Sequence, residues 1–301
     1  MEDRTVSVLH HLQRVPEDKT SLYFLASLLQ GKRCSVDLLS VEEHPEAIDD
    51  EARKELAREQ REKQTQVDVD TAMQEGKRIL TEHLGQANVN VLESSGDPAR
   101  EVLQMLDKRQ YDLLSLAAYG RGGFRKTILG AHVNKLVRET QVPVLVHKGD
   151  ISSCERILVP VPNDHDRCTK FTAFLASLLP AAKQATITLL VIFSEEHEMF
   201  EGYTTGEQKQ LIDSIENLNR EELKYLDIAQ QQFAEEGIET EVRGRIGDIG
   251  DQILNEAKEG RYDMMAFAPQ KPNVLSSLWS GDKSLEVIRN IEISPLKFPP
   301  S

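Results

Sequence analysis

Apolar positions along the chain follow two rhythms. Short apolar runs at 4–9, 34–41, 88–94, 112–118 and 142–147 predict strands. Between them, apolar residues return at three- and four-residue steps: Leu22, Leu25, Ala26 and Leu29; Val102, Leu103 and Leu106; Val133, Leu136 and Val137. These stripes are the core faces of helices. Gly96-Asp97-Pro98 opens the third helix, with Asp97 as its cap and Pro98 at the first helical position. Residues 47–66 are charged nearly all round, with Glu59 and Lys63 at helical spacing, and predict the solvated start of a helix. Its apolar face continues through Ala72, Met73, Ile79, Leu80 and Leu84. A comparable charged helix is predicted near 206–236, carrying Leu211, Ile215, Leu218, Leu226 and Phe233.

One offset of 151 residues relates the two halves. Val6-Ser7-Val8 maps onto Ile157-Leu158-Val159, Val41 onto Ile192, and Gly96-Asp97 onto Gly247-Asp248. Tyr111-Asp112 maps onto Tyr262-Asp263, Ala117 onto Ala268, and Gly130 onto Gly281. Matches sharing one frame indicate an internal duplication. The fold class is therefore α/β: two tandem doubly wound domains, each a mostly parallel five-stranded sheet flanked by helices. The boundary is placed at Gly149 to Ser153, giving domains 1–150 and 151–301.

Composition narrows the function classes. The chain has 301 residues, 39% hydrophobic and 29% charged, as a folded globular protein does, and a formal charge of −14. That charge opposes nucleic acid, whose affinity is built largely on neutralised phosphates. Met1-Glu2-Asp3-Arg4 does not open a signal sequence, and no apolar run reaches membrane-spanning length, so a cytoplasmic location without membrane association is expected. Cys34, Cys154 and Cys168 lack zinc or disulfide spacing and read as free buried thiols.

The chemistry concentrates after the fourth strand, in Ala117-Ala118-Tyr119-Gly120-Arg121-Gly122-Gly123-Phe124, continuing to Gly130-Ala131-His132 before an amphipathic helix. A strand opening into a glycine loop that feeds a helix N-terminus is where doubly wound sheets bind ligands, with backbone N–H groups and the helix dipole favouring phosphate. A tight connection without a ligand would look similar. Arg121, Arg125 and Lys126 form a compact basic cluster, readable as triphosphate contacts or as ordinary surface charge. His10, His11 and His132 can share the ligand edge of one sheet, but no further ligands accompany them and no metal is expected.

These residues resemble the universal stress protein family. Its domains end in Gly-x-x-Gly, nine residues, Gly and Ser or Thr, then a helix and a strand resembling Cys-Pro-Val-Leu-Val. This chain has Ala117-x-x-Gly120, nine residues, Gly130-Ala131, then a helix and Val142-Pro143-Val144-Leu145-Val146. Gly96-Asp97-Pro98 and Tyr111-Asp112-Leu113-Leu114 also look like the family. In its ATP-binding members, the resemblance implies Gly120 and Gly130 at the phosphates, Ala117 and Ala131 on the same backbone path, and Val41 beside the base. Arg121 and His132 belong to the same candidate site.

Three departures matter. Ala117 restricts backbone angles, Ala131 lacks the hydroxyl that would reach a phosphate, and His11 stands at the expected Asp. The second half runs Ala268-Pro269-Gln270-Lys271, nine residues, Gly281-Asp282, with Pro162 at the expected Asp. Its prolines remove backbone donors and Asp282 adds negative charge, so no nucleotide is expected there.

The resemblance therefore implies a non-enzymatic stress protein that binds ATP or a related adenine nucleotide weakly in its first half only. The alternative is an interaction scaffold in which neither half binds nucleotide. An ATP-using transferase fits less well, because no Walker-type Gly-Lys-Ser or Gly-Lys-Thr is present. Pairing through the family's last strand further implies an intramolecular pseudo-dimer, with Pro295 making the second terminal strand pair less regularly.

Overall fold

The computed structural model describes residues 5–12, 19–42, 70–85, 87–118, 129–162, 164–179, 185–196, 202–213, 223–269 and 281–299. The charged segment 47–66 and the basic loop around Arg121 lie outside these.

In the first half, the order is β1 (Val6–Leu12), α1 (Lys19–Leu28), β2 (Cys34–Glu42), α2 (70–84) and β3 (Ala87–Ser95). Then follow α3 (Pro98–Lys108), β4 (Leu113–Ala117), α4 (Ala131–Glu139) and β5 (Val144–His147). The second half begins β6 (Arg156–Pro160), α5 (His165–Leu178), β7 (Thr186–Phe193), α6 (Thr205–Asp213) and α7 (Lys224–Glu235). It ends β8 (Glu239–Ile246), α8 (Ile249–Glu259), β9 (Met264–Phe267), α9 (Gly281–Asn290) and β10 (Ser294–Lys297). The helix expected over 206–236 is thus described as two, α6 and α7, with residues 214–222 outside the described set. β1 extends through Leu12 rather than ending at residue 9, because His10 and His11 keep pairing with β2 and β4.

Among the described residues, ten strands join one sheet in the order β3-β2-β1-β4-β5-β10-β9-β6-β7-β8. Each half is parallel within itself, and the halves meet antiparallel at β5 and β10. At that seam Leu145 lies opposite Leu296, and Val144 opposite Lys297. Pro295 does not prevent β10 from pairing over four positions with β9, but the seam register is confined to two.

The duplication extends to individual backbone hydrogen bonds. Gly96 N donates to Glu42 O and Gly247 N to Phe193 O, both at 2.9 Å. Thr140 N donates to Leu136 O, and Ile291 N to Val287 O. Gly96 and Gly247 have φ of +139° and +133°, the left-handed side that glycine tolerates without a Cβ penalty. Side-chain networks have diverged around this shared frame. Tyr111 donates to Asp37 on β2, at 2.6 Å, whereas its counterpart Tyr262 donates to Glu256 on α8, at 2.8 Å.

Two apolar layers run the length of the sheet. One unites α1, α2, α5 and α7, and includes both Leu145 and Leu296; the other unites α3, α4, α8 and α9 with Val144 and Val146. Two lysines fasten the seam. Lys148, buried just past β5, donates to the carbonyls of Ile288 (2.5 Å), Arg289 (3.3 Å) and Ile291 (2.8 Å) at the end of α9. Reciprocally, Lys297 on β10 donates to Val137 O in α4 at 2.5 Å. An ammonium at a helix C-terminus satisfies carbonyls that have no intrahelical donor and meets the negative end of the helix dipole.

Candidate functional site

The carboxyl edge of the first-half sheet gathers several of the sequence-selected residues. Val41 is near the end of β2, partly buried against the α3–α4 layer, and pairs with Ser94. Ala117 ends β4, buried, and pairs with His147. Gly130 is the N-cap of α4, Ala131 its first residue and His132 its second. His11 lies next to the last residue of β1, with its register partners Leu39 and Leu116 in the same layer. Gly120, Arg121, Arg125 and Lys126 lie outside the described residues.

Helix starts differ here in an informative way. Asp97, Asp164 and Asp248 cap α3, α5 and α8 by accepting from backbone N–H groups. Gly130 offers no side chain, and α4 has no side-chain cap hydrogen bond among the described residues. Its first-turn N–H groups are the kind that bind anions. Asn134 fixes the entry to this turn, its amide donating to Leu129 O at 2.8 Å and Gly130 O at 3.2 Å. The same Asn134 accepts from Arg289 of the second half at 3.1 Å, so the site entry is tied across the seam.

His10 and His11 lie near the carboxyl end of β1 and His132 in the first turn of α4, but the two strand histidines sit on opposite faces of the sheet. Successive strand residues point to opposite faces, so His10 faces the α1–α2 layer while His11 faces α3 and α4. His10 Nδ1 and Ser115 Oγ share a hydrogen bond at 3.0 Å, and its Nε2 has no partner among the described residues. Burial, with the charges of His11 and His147, lowers its pKa to about 3. His11 is lowered to about 4 by burial and by the charge of His132. His132 in turn lies 3.6 Å from Asp97, which Lys135 approaches at 4.0 Å. The sequence marks Asp97 as a cap alone; its nearness to His132 depends on how α3 packs on α4 and leaves no signal in the sequence. Among the described residues, no group of three or more His, Cys, Asp or Glu could hold a metal ion.

The corresponding corner of the second half is built differently. Pro162 is buried beyond β6, Ala268 and Pro269 follow β9, and α9 begins at Gly281 with Asp282 second; residues 270–280 lie outside the described set. Arg167 from α5, also buried, reaches Ala268 O at 3.4 Å and Pro299 O at 3.1 Å. Nothing in the sequence pattern singles it out. Its guanidinium latches the ends of β9 and β10 beside the position equivalent to Ala117.

With this fold and edge in view, comparison with known proteins places the class. The sequence profile of the universal stress protein family matches residues 14–148 and again 154–296, and the chain belongs to that family. A universal stress protein from Archaeoglobus fulgidus superposes with a TM-score of 0.61 at 17% identity, covering 97% of each chain. A protein of unknown function from Pseudomonas aeruginosa also reaches 0.61 at 18% identity, covering 99% of this chain and 94% of the other. At such identities the likeness is one of fold. No curated protein sequence matches the chain. No helix among the described residues is long and apolar enough to cross a membrane.

Proposed function

We propose that the protein is a non-enzymatic stress-response protein that binds ATP or a related adenine nucleotide weakly in its first half, while the second half serves as its structural partner. The carrying observation is the start of α4, where Gly130 leaves the first-turn N–H groups without a side-chain cap at the carboxyl edge of the sheet. Gly120 and Arg121 would complete the phosphate contacts, with Val41 beside the base. Ala131 lacks a hydroxyl, which removes a charge-assisted hydrogen bond of about 1.5–3 kcal/mol and weakens binding by roughly one to two decades. In the second half, the Arg167 latch and Asp282 argue for a closed corner. The non-enzymatic reading is supported by the buried imidazole of His11, which at a pKa lowered to about 4 is a weak general base.

Mass spectrometry of small molecules released on denaturing the purified protein tests the reading. An adenine nucleotide, or uptake of added ATP without phosphate release above a buffer control, supports it. Sustained phosphate release abolished by Gly130→Asp would make the protein an enzyme. An empty protein that takes up no ATP would favour a scaffold that works through its surfaces.

A further inference from the structure

The seam between the halves is pseudo-symmetric, so a bond running from α9 to α4 has a counterpart from α4 to α9 wherever the residue types allow one. Arg289 on α9 donates through Nε to Asn134 Oδ1 on α4 at 3.1 Å. The duplication offset pairs Arg289 with Arg138, and Asn134 with Leu285. A leucine side chain has no acceptor, so the reciprocal bond from Arg138 to position 285 cannot form. This tie therefore runs one way, from the second half to the first. It ends on a turn of the backbone, because the Asn134 amide donates to Leu129 O at 2.8 Å and Gly130 O at 3.2 Å where the chain enters α4. The backbone that carries Arg289 is itself fixed. Lys148, 1% exposed, donates to the carbonyls of Ile288 and Ile291 on either side of it and to Arg289 O. A further donor from the second half, Lys297, reaches Val137 O beyond Asn134 on α4 at 2.5 Å.

We propose that Arg289 is a positioning residue: acting through Asn134, the second half sets the order of the turn that enters α4, and the first half returns no such control to α9. A side-chain amide carries one carbonyl oxygen and two N–H protons in a plane. With Arg289 on the oxygen of Asn134, that plane is held, and the protons stay aimed at Leu129 O and Gly130 O. Without the guanidinium, rotation about the last side-chain bond meets little resistance, since such torsions have broad minima, and the two carbonyls lose a fixed donor. Lysine at position 289 would keep a donor but not the planar fork. Gly130 is the N-cap of α4, so the order imposed on this turn extends to the candidate nucleotide site. That last consequence rests on the nucleotide reading above, whereas the coupling between the halves does not.

The test is amide hydrogen exchange of the full chain, followed as protection of the N–H of residue 134, which donates to Gly130 O at 3.0 Å. Arg289 is exposed, so its variants are expected to fold, and urea unfolding checks that global stability is unchanged. Arg289→Ala should lower this protection by about two- to tenfold, the equilibrium factor of one hydrogen bond, and Arg289→Lys should restore most of it. In an Asn134→Leu background, which copies the second half, Arg289→Ala should add nothing further. Arg138→Ala should leave protection of the Leu285 N–H unchanged. Equal protection in wild type and Arg289→Ala, or an Arg289→Ala effect that persists beside Asn134→Leu, overturns the positioning role. A response at Leu285 as large as that at Asn134 overturns its one-way sense. Calorimetric titration with ATP is the second readout, with affinity expected to fall about two- to tenfold in Arg289→Ala and to recover in Arg289→Lys. Unchanged affinity beside lowered protection overturns the link to nucleotide. Absence of ATP binding to wild type overturns the nucleotide reading, while exchange still decides the coupling.

Discussion

Leu145 of the first half lies directly opposite Leu296 of the second, a residue 151 positions further on and its own counterpart in the duplication. A strand residue that faces its own equivalent across an antiparallel pair marks a two-fold axis, so the seam has the geometry of an isologous dimer closed within one chain. Both leucines are fully buried in the layer shared by α1, α2, α5 and α7. The terminal strand that would be an open edge in a single half is thereby paired.

Truncating either leucine should therefore affect both halves. Leu145→Ala and Leu296→Ala are each expected to cost about 2–5 kcal/mol, the usual range for a buried leucine. Because the residues are paired, the double variant should depart from the sum by roughly 0.5 kcal/mol or more. Urea unfolding followed by circular dichroism reads both effects. Strict additivity would argue against a shared cavity at the seam.

Lys148 should matter more than a strand-end lysine ordinarily does. Lys148→Met keeps much of the apolar stem but leaves the α9 carbonyls of Ile288 and Ile291 without their donor. Each buried group left unsatisfied costs about 1–3 kcal/mol. Hydrogen exchange should show faster opening at the end of α9, and denaturant titration a loss of at least about 2 kcal/mol. An unchanged midpoint would show that the carbonyls find water instead.

Acid should destabilise the protein well above the carboxylate range. His10 and His11 fall to about 3 and 4 in the folded chain, chiefly through burial, against an ordinary value of 6.5. The unfolded state binds more protons between those values, so stability is full above pH 6.5 and is lost as pH falls towards 4 and then 3. A tenfold difference in proton affinity between the folded and unfolded chain is worth about 1.4 kcal/mol, and the combined loss is several kcal/mol. His10→Gln should flatten the fall of the urea midpoint between pH 6.5 and 4. A midpoint independent of pH over that interval would contradict the burial of these rings.

The three thiols should be inert in the native state. Burial raises the pKa of Cys34, carries Cys168 up to about 12 and raises Cys154 further, so little reactive thiolate forms in mildly alkaline buffer. An aromatic disulfide reagent should label none of them on the timescale that labels all three in denaturant. Rapid native labelling of one would locate an opening in the layer that contains all three.

Much of the architecture was legible because glycine and the Tyr-Asp pairs mark backbone requirements that survive divergence. Gly96 and Gly247 keep their positive φ, and the apolar run Val144-Leu145-Val146 announced the seam. The sequence placed His10, His11 and His132 at one edge of the sheet, and what it did not yield is that strand alternation sets His10 on the opposite face from His11. Lys148 and Arg167 escaped notice because lysine and arginine ordinarily remain at the surface, and only tertiary packing brings helix-end or strand-end carbonyls to them. At the candidate site the sequence named His11, Gly130 and Ala131, but the contact of His132 with Asp97 required the packing of α3 on α4.

The central claim is one nucleotide site in the first half, and calorimetric titration of ATP into wild type, Gly130→Asp and Gly281→Asp tests it most directly. Gly130 has a φ of −58°, so aspartate is tolerated at the N-cap and can accept from the first-turn N–H groups of α4. That variant should remain folded, gaining a few tenths of a kcal/mol in helix stability, while its carboxylate occupies the donors a phosphate would use. The account predicts one weak site in wild type, none in Gly130→Asp and an unchanged site in Gly281→Asp. Two equal sites in wild type, or binding that survives Gly130→Asp and disappears in Gly281→Asp, would contradict it.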